Sequence, residues 1–196
     1  MTPMAVGATV RIAVLALGLI WPMTQAEMER ALWIGRAFDS ERARFHKPYV
    51  IAPNDPTVEQ IEVVTEFRRA VLFAEEQIRH GDHMFGLRQA EPALRQWHGK
   101  VTIVARLRFH PLNVFLAAPP YDITVGEPRV PLLDTRRTSL YALANNQKPA
   151  APAALAGAVV ESDFDAQAVG QGTRTIRVVF EGKEVTRTVV DFAQLQ

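Results

Sequence analysis

The run Thr173 to Phe192, TRTIRVVFEGKEVTRTVVDF, constrains this chain more than any other. Ile176, Val178 and Phe180 alternate with Thr175, Arg177 and Val179, the period-two pattern of a half-buried strand. A second β-rich run follows Glu181-Gly182-Lys183-Glu184, and Gly182 supplies the positive φ of a tight hairpin. A two-residue turn would place Val185 and Val189 on the face of Ile176 and Phe180. A three-residue turn with a bulge at Gly182 would place Val190 and Phe192 there instead. A lone hairpin is barely stable in water, so the rest of the chain must supply more sheet.

Most of that sheet lies upstream. Lys100 to His110 puts Val101, Ile103, Ala105, Leu107 and Phe109 on one side. Thr102, Val104, Arg106, Arg108 and His110 fall on the other. One dry and one wet face point to an antiparallel sheet or sandwich. Further strand candidates are Tyr49–Ile51, Ile61–Thr65, Val114–Ala117, Tyr121–Val125, Ser139–Leu143 and Ala158–Phe164. Gly126–Arg137 and the Ala/Pro-rich Ala144–Ala156 read as loops, the second a mobile one.

Helical periodicity occupies the first half. Glu66 to His80 places Phe67, Ala70, Val71, Ala74 and Ile78 on one face, and Gly81 stops it. A second helix spans Met84–Trp97, started or kinked at Pro92. The two form a helical hairpin within 66–98. Glu27 to His46 reads as one amphipathic helix ended by Pro48. Gly35 weakens it, and Asp39-Ser40 is a possible restart.

The N-terminus carries the unbroken apolar run Ile12–Trp21, preceded by Arg11 and followed by Thr24-Gln25-Ala26. A charged start, a short apolar core and a small-residue exit predict a secretory signal over 1–26. The competing reading is an uncleaved anchor over Met4–Met23. Apart from Arg11, residues 1–26 carry no charge, and the remainder balances 21 basic against 21 acidic side chains. That neutrality argues against nucleic acid as a partner. The chain has no cysteine, which excludes disulfides, thiolate catalysis, Cys-ligated zinc and a lipobox anchor.

The segment FDAQAVGQGTRTIRVVFEGKEV, Phe164 to Val185, resembles the last three strands of bacterial immunoglobulin-like or fibronectin-like domains. There an aromatic-Asp strand leads through a small-residue loop to a Thr-rich strand and a Gly-turned hairpin. The resemblance implies the fold and carries no active site. The helix pair departs from that pattern, as does the lack of a Cys…Trp…Cys signature. The expectation is an α+β chain, an antiparallel immunoglobulin-like β-sandwich over 49–196. It carries the helical hairpin and is preceded by a helix over 27–48.

Three constellations bear on chemistry. Glu76, His80 and His83 have a spacing at which a carboxylate and imidazoles can hold a divalent ion. Without HExxH, they read equally as a polar helix end. Arg106, Arg108 and His110, with Arg174, Arg177 and Arg187, would form a basic patch for an anionic glycan or lipid headgroup if their strands are neighbours. Otherwise they solvate a sheet face and pair with acids such as Glu161 and Glu184. Asp163 and Asp165 flank Phe164 on one strand face and suit a loop calcium site or plain surface. The serines, Ser40, Ser139 and Ser162, lie outside any nucleophile elbow.

The expected function is therefore an exported, non-catalytic binding or structural module of the bacterial envelope, with no cofactor. Its partner would be an envelope protein or glycan, with the membrane met only through an uncleaved N-terminus. The alternative is a metal-dependent hydrolase built on Glu76, His80 and His83.

Overall fold

The computed structural model describes residues 23–142 and 154–195. The apolar run Ile12–Trp21 and nearly all of the Ala/Pro-rich loop lie outside them. Among the described residues no helix is long and apolar enough to cross a membrane.

The described residues are α+β, with two antiparallel sheets of eight strands in all and a group of helices. The larger sheet has the order β1-β2-β3-β6-β5, from β1 (Val50–Ile51), β2 (Val58–Val64), β3 (Lys100–Arg108), β6 (Leu155–Asp165) and β5 (Leu132–Tyr141). The smaller has the order β4-β7-β8, from β4 (Tyr121–Val125), β7 (Thr173–Phe180) and β8 (Lys183–Asp191). One hydrophobic cluster draws on both. It takes Ile61, Val63, Val101, Ile103, Leu107, Val160 and Phe164 from the larger sheet, and Ile123, Val125, Ile176, Val178 and Val190 from the smaller. In β3, Val101, Ile103, Ala105 and Leu107 are buried and Arg106 and Arg108 exposed, as the sequence predicts, but Thr102, expected on the wet face, is buried.

The helices have a separate core. Helix α1 (Gln25–Gly35) packs on α3 (Glu66–Arg79), with α2 (Asp39–His46) and α4 (Leu87–Leu94) beside them. Met28, Ala31, Leu32, Phe67, Ala70, Val71, Ala74, Phe85, Ala90 and Leu94 form this second cluster, and all of them come from the helical region. Gly35 makes the close approach possible. A Cβ there would stand 2.5 Å from the Ala74 Cβ and 2.6 Å from the Val71 carbonyl. Phe45 touches both clusters, and Tyr49 is buried in the sheet core beside it.

Several sequence expectations need correction. The expected single helix over 27–48 is two, broken after Gly35 and restarted with Phe38 as an N-cap that makes no side-chain cap bond. Helix α1 begins at Gln25, where Thr24 and Glu27 form a reciprocal capping box. Helix α4 begins at Leu87, and Pro92 sits inside it rather than at its start. The stretch read as a loop to Arg137 is a strand from Leu132, because Arg136 finds acids on β6 across the ladder. Val114–Ala117 forms no strand.

The terminal hairpin combines the turn of the first expected register with the core residues of the second. Phe180 pairs with Lys183 across a two-residue turn, with Glu181 at φ 49 and Gly182 at φ 76. A register shift between Val178 and Val179 then leaves Val185 as an extra residue in β8. Val190 and Phe192 consequently turn into the core, while Val189 points to solvent.

Candidate functional site

The structure brings two of the three expected metal ligands together. Glu76, in the last turn of α3, lies 2.7 Å from Nε2 of His80 through one carboxylate oxygen and meets Arg79 through the other. His83 is exposed beyond the turn at Gly81. Among the described residues no group of three His, Asp or Glu is placed to hold a metal ion. Asp163 and Asp165 are separated by task as well. Asp163 is buried, whereas Asp165 accepts from the Ala168 amide as the cap of α5 (Ala166–Val169). Ser139 lies on β5, where its hydroxyl accepts from the Ala118 amide.

A buried polar network, missed in the sequence, joins the helices to the outer face of the larger sheet. Arg68, on α3, is itself buried. It donates to the Val63 carbonyl at 2.7 Å and to Glu62 at 2.8 Å. Burial lowers the pKa of its guanidinium, and Glu62 works against that shift. Arg69 stacks 3.7 Å from the centre of the Trp97 ring and donates to the Thr102 hydroxyl at 2.7 Å. Burial brings the Arg69 pKa down to about 10, which leaves it charged at neutral pH. Thr102 in turn donates to Asp163 at 2.7 Å, and Arg136 donates to both Asp163 oxygens at 3.1 and 3.2 Å. The sequence signal for this network was three acids, Glu62, Glu161 and Asp163, inside strand patterns. Partners on the same face are what permit them there.

A second buried pair sits at the start of α3. Glu66 lies 3.0 Å from Nδ1 of His98. Burial, aided by the Glu27 carboxylate, pushes the Glu66 carboxyl up to about 8. Desolvation, with Arg95, pushes His98 down. At neutral pH the two meet as neutral hydrogen-bonding groups rather than as an ion pair.

The expected basic patch divides. Arg106, Arg108 and His110 are exposed at the end of β3. Arg174, Arg177 and Arg187 belong to the other sheet, so the two sets are not neighbours in one sheet. Arg177 pairs with Glu127 and Glu184, Arg187 with Glu184, and Arg174 donates to the Val169 carbonyl. Arg106 stands opposite Gln60 and Val159, with no carboxylate directly across from it.

Beyond His110 the chain enters a loop that alternates without being a strand. Leu112, Val114 and Leu116 are 83%, 89% and 90% exposed. Between them, Asn113 donates to the His110 and Leu155 carbonyls, and Phe115 packs edge-on against Phe109 and Phe180. Tyr141 donates to the Leu116 carbonyl, and Ser139 holds Ala118. The loop is thus pinned from three strands while its aliphatic side chains face water.

At the other end, α1 and α2 border an open groove of about 290 Å³ lined by Trp33, Ile34, Ala37, Glu41, Arg44 and Phe45. Trp33 and Phe38 stand exposed beside it. No family model, curated protein or solved structure matches the chain.

Proposed function

We propose that this chain is an exported, non-catalytic binding or structural module of the bacterial cell envelope, built on an immunoglobulin-like sandwich. The observation that carries the reading is the β3–β4 loop. A folded chain gains by covering large aliphatic side chains, and this one spends five side-chain hydrogen bonds and a packed phenylalanine on presenting three of them to solvent. Such a surface suits docking. The exposed arginines beside it extend the contact to anionic groups. Export is supported by the apolar run and small-residue exit at the N-terminus. A metal-dependent hydrolase would require His83 to be carried to the Glu76–His80 pair.

The test is fractionation of cells expressing the C-terminally tagged full chain beside a Leu112→Ser, Val114→Ser, Leu116→Ser variant of equal Tm. The native chain is expected in the envelope and the variant released from it. Equal retention, or a cytoplasmic location for both, overturns the reading. So does hydrolysis of ester, peptide or glycoside substrates that one side-chain change abolishes.

A further inference from the structure

The β3–β4 loop also carries information about what it docks on. Its exposed tip is entirely aliphatic, and Leu112, Val114 and Leu116 present no hydrogen-bonding side chain. A protein groove is selected through placed polar contacts as well as apolar ones, and this tip offers none of the first kind. Along the chain behind the tip, the charge has one sign. Between Lys100 and Asp122 the sequence contains no aspartate or glutamate, while Arg106, Arg108 and His110 are exposed there. Arg108 is four residues from Leu112, and Arg106 lies about 7 Å further down the strand. An apolar tip with a basic collar fits a surface whose interior is hydrocarbon and whose rim is phosphate.

The bracing matters to the affinity. Phe115 is held by Phe109 and Phe180, and Asn113 and Tyr141 fix the backbone on either side of Val114. Little conformational freedom remains to be lost on docking. We propose that this loop is a lipid-docking element. Leu112, Val114 and Leu116 enter the interfacial region of an anionic bilayer, and Arg106, Arg108 and His110 meet its headgroup phosphates. This rests on the reading of the chain as a binding module and adds the chemistry of its partner.

The absence of cysteine makes a site-specific test clean. The full chain with Val114→Cys is labelled with an environment-sensitive fluorophore and mixed with phosphatidylglycerol or phosphatidylcholine vesicles. A Met84→Cys chain, labelled at an exposed site among the helices, reports any contact made through the N-terminal apolar run instead. A blue shift at position 114 is expected with phosphatidylglycerol, quenched by nitroxide lipid and weak with phosphatidylcholine. Arg106→Gln with Arg108→Gln is expected to raise the lipid concentration at half-saturation at least tenfold. No shift at 114, an equal shift at 84, or indifference to headgroup charge overturns the lipid assignment. If loop-dependent envelope retention survives such a result, the partner is a protein or glycan and only this inference falls. If retention is also lost, the binding reading falls with it.

Discussion

Glu66 shows how far burial can outweigh local electrostatics. It occupies the first turn of α3, where the helix dipole favours a negative charge, yet its carboxyl titrates near 8. Below pH 4.5 the carboxyl is protonated whether the chain is folded or not. Between 4.5 and about 8 the unfolded chain ionises while the folded one holds its proton, so stability falls as pH rises through that window. Thermal melts from pH 5 to 8 are expected to show this decline in the native chain and a flatter curve in Glu66→Gln; parallel curves would sink the assignment. Asp163 is a buried carboxylate held by Arg136 and Thr102. Asp163→Ala leaves the Thr102 hydroxyl without an acceptor for its proton, and Arg136, which is 38% exposed, keeps only Glu161 and Asp134. The expected cost is therefore about 2–3 kcal/mol, at the lower end for a broken buried pair, and a double-mutant cycle with Arg136→Ala would measure it. Gly35→Ala meets side chain and backbone of α3 at once and is expected to cost about 1–3 kcal/mol. An unchanged melting temperature would mean that the helices can move apart freely. None of these three roles was legible in sequence order, since each depends on a partner 27 or more positions away or on a neighbouring helix.

At the scale of the element, strands with one dry face were legible and strands with polar faces were not. Strand β3 declares itself by alternation. The stretch LLDTRRTSLY does not, because its pairing with β6 is secured by Arg136 against Glu161 and Asp163 rather than by apolar contrast. The hairpin marks a second limit. Turn chemistry fixed its tip, but the bulge at Val185 decides which valine enters the core. Deleting Val185 leaves Thr186–Asp191 opposite the same β7 partners, so the variant is expected to fold with a modestly lowered Tm. Loss of the folded state would show the bulge to be required in itself. Gly157 is stricter: a Cβ there would lie 2.2 Å from the Leu107 carbonyl. Gly157→Ala is expected to open the end of the β3–β6 ladder and speed amide exchange at Arg108 and Phe109 before it affects Val101 or Ile103.

The molecule as a whole has two cores and one polar seam. The helices meet the larger sheet where β2 ends and β3 begins, through Arg68, Arg69 and Trp97. Trp97→Ala is expected to raise exchange in α1 and α3 while leaving the centre of β3 protected, and uniform loss of protection would instead indicate one cooperative unit. The β3–β4 loop leaves from the far end of β3, about 30 Å of extended chain away. Met23 packs among the helices. A pull applied between Lys100 and Arg108, the two ends of β3, runs along the strand axis. Its ladders with β2 and β6 would then be sheared as whole sets of hydrogen bonds rather than peeled one at a time, which is how a strand pair best resists tension.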